Sequence, residues 1–279
     1  RMEDGFVRSV GLGAKLITPY SLVLDDLGIY YNAQHPSRLE IILSSLQLCA
    51  QQRQRAENLI STLTTQNISK YNIVGENDWP VDIPTGKKVV LVVGQVSDDA
   101  SIKFGAGHLC NSNEQLLTLA REKNPLAYII YKPHPDVLTG LRIGSVPKNI
   151  INIKADALVT QTDMSICIQA CDELHTMTSL AGFEALIRNK KVFCYGQPFY
   201  SGWGLTTDMQ PNSRRSKQLD LLTLVYGTLI SYPVYAIDQQ CIGANIETIV
   251  GQINKEKTNG LKKSSLRSVA LLPFIKRYR

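Results

Sequence analysis

The sequence predicts a doubly wound α/β fold, and three observations carry that prediction. Apolar runs of strand length, such as Val89 to Val93 and Ala127 to Tyr131, show no polar alternation. Helical stretches separate them, which implies a parallel sheet covered on both faces. Residues of unusual polarity follow the runs, at the carboxyl ends where such sheets bind ligands. With 279 residues, 44% hydrophobic and 19% charged, the chain can bury one large core or two smaller ones.

Residues 1 to 83 read as the later part of one domain. Ser21 to Asp25 and Ile29 to Tyr31 are short β-rich runs broken by Asp-Asp-Leu-Gly, a hairpin-like pattern. Pro36-Ser37 caps a helix from about Arg38, in which Leu39, Ile42, Leu43, Leu46 and Leu48 follow a 3.6-residue period. Turn formers from Trp79 to Gly86 mark a boundary, after which residues 84 to 240 form a second domain. Its elements are strand Val89 to Val93, a helix capped by Asn113 and strand Ala127 to Tyr131. A short strand from Ile166 to Ala170 with Glu173-Leu174, a helix from Ala181 to Arg188 and strand Lys191 to Tyr195 follow. Residues 241 to 279 read as a C-terminal helix and a basic tail.

The net charge of +6 is unevenly placed. Residues 255 to 279 hold eight Lys and Arg and one Glu, so the remaining chain carries a charge of −1. A nucleic-acid binder spreads its cations over the fold, so nucleic acid is not an expected partner. The six Cys include no Cys-x-x-Cys pair. Cys167 and Cys171, one helical turn apart among apolar neighbours, are expected to be buried thiols rather than metal ligands, as in a reducing cytoplasm. No apolar run approaches the roughly 20 residues that span a bilayer. The opening at Arg1, directly before a Gly-punctuated motif, reads as a module cut from a longer protein.

The polar residues gather in three loops. Gly94-Gln95-Val-Ser-Asp98-Asp99-Ala-Ser101 follows the first strand, with the two acids readable as a solvated turn or a helix cap. Lys132-Pro-His134-Pro-Asp136 follows the next; a histidine between prolines has a rigid backbone, and with Lys132 it suits an anionic phosphate. His175-Thr-Met-Thr178-Ser179-Leu-Ala-Gly182-Phe-Glu184 places hydroxyls before a helix, as an anion site, an N-cap or both. Glu184 falls in the first helical turns, stabilised by the dipole or reaching a sugar hydroxyl. Glu3-Asp4-Gly5-Phe-Val-Arg8 sets acids and a cation beside glycine. Tyr200 and Trp203, among glycines, suit stacking on a sugar or base, or packing of a surface loop. The chain has no P-loop, Asp-x-Asp, Gly-x-Ser-x-Gly or His-Glu-x-x-His motif, and no metal is expected.

Five motifs together resemble a known family. Glu3-Asp4-Gly5-Phe6 with Arg8-Ser9-Val10-Gly11-Leu12-Gly13 comes first, then Gln95-Val96-x-x-Asp99-x-Ser101, then Tyr131-Lys132-Pro133-His134-Pro135. Thr178-Ser179-Leu180-x-Gly182-Phe183-Glu184 and Pro198-Phe199-Tyr200-x-Gly202-Trp203-Gly204 complete the set. In order and spacing these are similar to the capsule polysaccharide β-Kdo transferases of the KpsC/LipB type. The resemblance implies a GT-B glycosyltransferase with Rossmann-like domains, the first of them incomplete in this chain. It further implies a retaining enzyme that takes CMP-Kdo as donor substrate, without another cofactor, and builds a Kdo linker on a phosphatidylglycerol lipid. The acceptor would be lipid-linked Kdo or a lysophosphatidylglycerol-type lipid at the inner face of the cytoplasmic membrane. A second glycosyltransferase module would share the parent chain. Asp99 is then expected as nucleophile, Glu3 or Asp4 as base, and Arg8 as partner of the Kdo carboxylate. Lys132, His134, Thr178 and Ser179 would neutralise the phosphate. A non-catalytic sugar-nucleotide or glycan-binding module and a nucleotide-sugar epimerase are the alternatives. The basic tail, with Leu261, Leu266, Val269, Leu271, Leu272, Phe274 and Ile275 among its cations, has the make-up of an interfacial segment or of a solvated tail.

Overall fold

The computed structural model describes residues 1–11, 17–72, 78–80, 82–237 and 242–258. The amino-terminal segment opens with β1 (Met2–Asp4), antiparallel to β2 (Ser21–Leu24), with Glu3 opposite Val23 and Asp4 opposite Leu22. The expected hairpin to Ile29–Tyr31 does not form. Instead the chain wraps around the buried Asp25 carboxylate, which accepts the N–H groups of Leu27 (3.0 Å), Gly28 (2.8 Å) and Arg38 (2.9 Å) and the Tyr232 hydroxyl (2.7 Å). Helix α1 (Arg38–Ser45) starts as predicted, with Ser37 Oγ accepting from the Glu40 N–H. It ends at Ser45, leaving Leu46 and Leu48 in the connection to α2 (Ala50–Thr65).

A six-stranded parallel sheet follows. β3 (Val89–Val93) is wholly buried, with Val90 and Val92 in one core and Val89, Leu91 and Val93 in another, which explains its lack of alternation. After α3 (Ala100–Gly105) and α4 (Asn113–Lys123), β4 (Tyr128–Lys132) pairs with one edge of β3. Ser112, rather than Asn113, caps α4, accepting from the Gln115 N–H. Helices α5 (Pro135–Leu138) and α6 (Lys148–Lys154) lead to β5 (Ala157–Leu158). Residues 166 to 170 are not a strand: they belong to α7 (Met164–Ala170), whose cap Asp163 accepts from the Ser165 N–H at 2.8 Å. β6 (Glu173–Thr176) then returns to the other edge of β3, followed by α8 (Leu180–Ile187), β7 (Lys191–Cys194) and β8 (Thr207–Asp208). The resulting order is β5-β4-β3-β6-β7-β8.

Past α9 (Leu221–Val225) the chain crosses back. β9 (Pro233–Ala236) and β10 (Ile242–Ala244) complete a four-stranded sheet in the order β1-β2-β9-β10. β9 and β10 thus join the sheet of the amino-terminal segment. Helix α10 (Ile246–Thr258) closes the described chain, burying Ile246, Ile249, Val250 and Ile253. One hydrophobic core runs through both sheets, from Val23 and Leu39 to Leu91, Phe183 and Ile253. Cys167 and Cys171 are buried free thiols, as expected. Lys255 and Lys257, counted above with the basic tail, lie in α10, and Lys257 Nζ donates to the Asn67 carbonyl at 2.6 Å. Residues 259–279, which hold the rest of the tail, lie outside the described residues, as do Leu12 and Gly13. No helix among the described residues is long and apolar enough to cross a membrane.

Candidate active site

Strand order reverses at β3, which has β4 on one edge and β6 on the other, and this opens a crevice at the carboxyl ends. Gln95 bridges its two walls. Its Oε1 accepts from the Thr178 N–H (2.8 Å) and Thr176 Oγ1 (3.3 Å), and its Nε2 donates to Thr178 Oγ1 (2.9 Å). Thr178 Oγ1 in turn donates to Ser101 Oγ (3.2 Å), tying the first loop to the third. Behind Gln95, Asn113 exchanges two bonds with its backbone, at 2.9 and 2.7 Å, and donates to the Gly144 carbonyl at 2.7 Å.

Asp99 caps α3, its Oδ1 accepting from the Ser101 N–H at 2.8 Å, and remains partly exposed. Asp98 turns outward to Arg142 at 2.8 Å. His134 caps α5: Nδ1 accepts from the Asp136 N–H at 3.1 Å, which places the proton of the neutral ring on Nε2. Burial holds its pKa below the ordinary value, against the pull of Asp136 and Asp99. Lys132 departs from expectation. Its buried Nζ donates to the Thr162 carbonyl at 2.6 Å, anchoring the loop after β5 rather than facing a phosphate.

The amino-terminal acids lie on β1 of the other sheet. Gly5 is required there, because a Cβ would lie 2.3 Å from Ser21 Oγ, where the chain leaving β1 abuts β2. Asp4 Oδ2 pairs with Arg8 Nε, and Arg8 Nη1 donates to Ser9 Oγ at 2.9 Å. Arg8 is only 5% exposed, so its guanidinium is directed to Asp4 and Ser9 and not to an open subsite. Glu3 Oε1 accepts from the Asp4 N–H at 3.0 Å, and Glu3 forms no ion pair among the described residues. The half-buried Tyr31 hydroxyl has its pKa raised by burial and, further, by the charges of both Glu3 and Asp99. Lys70, which no sequence pattern singled out, completes this wall. Its stretch, Ser69-Lys-Tyr-Asn72, reads as an ordinary polar loop after a helix.

Helix α8 is fixed from several directions. Ser179 caps it, accepting from the Ala181 N–H at 3.2 Å. Tyr200 Oη donates to the Ser179 carbonyl, and a Cβ on Gly182 would lie 2.2 Å from that hydroxyl. Tyr200 and Trp203 are both fully buried, Trp203 Nε1 donating to the Phe199 carbonyl at 2.8 Å. They are packing residues, and neither presents a ring for stacking on a sugar or base. Phe6, Phe183 and Phe199 meet with centroids 4.9 to 6.4 Å apart, so three of the sequence motifs converge in one aromatic cluster. Glu184 Oε1 accepts from the Lys70 N–H at 2.8 Å, a cross-segment bond in place of a contact with sugar. Burial pushes its carboxyl up to about 7, against Arg188 and the Lys70 N–H, which favour the ionised form.

Among the described residues no group of three or more His, Cys, Asp or Glu is arranged to hold a metal ion. Residues 1–75 and 65–238 match the family described as capsule polysaccharide biosynthesis protein. The capsule polysaccharide modification protein LipA of Neisseria meningitidis serogroup A is 52% identical over 263 residues, covering 93% of this chain and 37% of LipA. The relative thus bears the name LipA, where the resemblance above used LipB, and the chain spans little more than a third of its length. The lipopolysaccharide-processing protein LpsZ of Rhizobium meliloti is 40% identical over 273 residues, 97% of this chain and 61% of LpsZ. Two solved structures from Thermosulfurimonas dismutans share the fold. KpsC, beta Kdo 2,7 transferase, matches with a TM-score of 0.76 at 40% identity, over 92% of this chain and 77% of that one. KpsC, beta Kdo 2,4 transferase, matches with a TM-score of 0.81 at 31% identity, over 91% and 78%. Since the family match reaches from the amino-terminal acids to the return strand β9, the chain belongs to the capsule polysaccharide biosynthesis protein family and carries the GT-B-like fold of the KpsC Kdo transferases.

Proposed function

We propose that this chain is a β-Kdo transferase module that takes Kdo from CMP-Kdo with retention of anomeric configuration. The observation that carries the reading is the partly exposed Asp99 at the carboxyl end of β3, one carboxylate oxygen held by the Ser101 N–H, together with a second acid, Glu3, that forms no ion pair among the described residues. Retaining sugar transfer through a covalent intermediate needs two such carboxylate roles. In the first step an Asp99 oxygen bonds to the anomeric carbon, and the bond to the CMP phosphate oxygen breaks, releasing CMP. In the second, the acceptor hydroxyl attacks that carbon and frees Asp99, while its proton passes to Glu3. Glu3 is better suited than Asp4, whose carboxylate is held by Arg8. His134 Nε2–H and the amino end of α8 are the donors that face the leaving phosphate.

The acceptor in this reading is a phosphatidylglycerol-type lipid or its Kdo-bearing form, met at the inner membrane surface. Residues 259–279, basic and apolar together, supply the attachment, and a second module in the parent chain extends the linker. Asp99→Asn is expected to abolish transfer from CMP-Kdo, by mass analysis of the lipid product, while CMP still binds. Turnover near the wild-type rate would remove Asp99 as nucleophile. Deleting residues 259–279, which leaves α10 whole, should reduce binding to anionic liposomes; undiminished binding sinks the membrane role.

A further inference from the structure

The Lys70 side chain holds a cation at the acid wall without a direct partner. Among the described residues its ammonium makes no ion pair with a carboxylate and no hydrogen bond, and it lies 5.3 Å from the centroid of the Tyr71 ring. Burial works against its charge, yet Tyr30, Tyr71, Asp4 and Glu3 outweigh it and raise its pKa. A half-buried ammonium in this position has lost part of its water and gained no hydrogen-bond acceptor among the described residues.

Its backbone is fixed from both segments. The Lys70 carbonyl accepts from the N–H groups of Arg8 (3.1 Å) and Ser9 (3.3 Å), and its own N–H donates to Glu184 (2.8 Å). Asn72, at a positive φ of 49°, donates to the Ser9 and Ser69 carbonyls and locks the turn. The side chain is therefore delivered to the crevice by three bonds that do not involve it. These bonds tie Lys70 both to the segment that carries Glu3 and Asp4 and to α8.

We infer that Lys70 binds the carboxylate of the donor sugar acid. The inference rests on the function proposed above. Arg8, the other cation of this wall, is neutralised by Asp4 and nearly inaccessible, whereas Lys70 has three donors to offer. A charge-assisted bond to a sugar carboxylate supplies the missing acceptor and separates sugar acids from neutral sugars. It also holds the anomeric carbon, which carries that carboxylate, between Asp99 and Glu3.

The test compares wild type, Lys70→Met and Lys70→Arg, all of which keep the backbone bonds. Lys70→Met should raise the KM for CMP-Kdo roughly 10- to 100-fold, with CMP affinity within about twofold of wild type. Lys70→Arg should recover most of the loss. As competitors, free Kdo should outperform its methyl ester about 10-fold on wild type and equal it on Lys70→Met. A Lys70→Met protein that still prefers Kdo over the ester, or that loses CMP affinity in step with CMP-Kdo, overturns the inference. If wild type neither transfers from CMP-Kdo nor binds Kdo, the proposed function itself fails and the inference falls with it.

Discussion

Asp99 combines a capping bond to Ser101 with a second carboxylate oxygen that makes no hydrogen bond among the described residues, and in the proposed mechanism the cap fixes the direction in which that oxygen points. Other residues of the motifs proved structural on inspection of their partners: Tyr200, Trp203 and Gly182 form one packing unit at the amino end of α8. Gly182→Ala must displace the Tyr200 hydroxyl or shift α8, and a loss of about 1–3 kcal/mol in stability is expected, read by denaturant unfolding. Glu184 gives a pH signature. Its carboxyl lies near 7 in the folded protein against an ordinary 4.5, so the fold favours the protonated form. That contribution is full below about pH 4.5 and is lost as the pH rises towards 7. Glu184→Gln, which keeps an oxygen for the Lys70 N–H, should flatten the fall of Tm across that window; an unchanged slope would assign the effect elsewhere. Residue types alone could not separate these roles, because a buried tyrosine and a sugar-stacking tyrosine look the same in a sequence.

Elements with strong local signals were legible. The continuous apolar run of β3 and the Ser37 cap of α1 are dictated by neighbours in sequence, and the structure has both. Where a partner far along the chain decides, the reading fell short. Ile29–Tyr31 has strand-forming residues, but Asp25 draws the surrounding N–H groups into a turn. The β-branched residues of α7 suggest a strand, and the Asp163 cap overrides them. The placement of the three polar loops at strand ends was legible; the bond between two of them was not, because Gln95 and Thr178 are separated by 83 residues. Gln95→Leu should cut the tie between the first and third loops. Loss of transfer activity together with a drop of roughly 1–3 kcal/mol in stability is expected, since the Thr178 N–H is left without its acceptor. Full activity in this variant would show that the crevice walls hold their spacing without it.

At the scale of the molecule, the two sheets are joined by a shared core and by charge. Glu40 of α1 accepts from Arg214 Nε at 2.7 Å and Arg215 Nε at 3.1 Å, and Arg215 continues to the Ser201 carbonyl at 3.1 Å. Glu40→Ala strands the buried Arg215 guanidinium and should cost about 3–5 kcal/mol, visible as a lower midpoint in urea. Replacing Arg215 by Met in the same background should recover part of that loss, since the stranded charge goes with it. The family resemblance anticipated Rossmann-like domains, the first of them incomplete, but not that the chain would return at β9 to finish the sheet begun by β1 and β2, because antiparallel pairing across more than 200 residues leaves no local trace. That return sets an order of events during synthesis. Before residues 233–236 are made, β2 pairs with β1 but lacks β9 on its other edge. The sheet that carries Glu3 and Asp4 is thus closed from more than 200 residues away, and its completion waits on the pairing of β2 with residues 233–236.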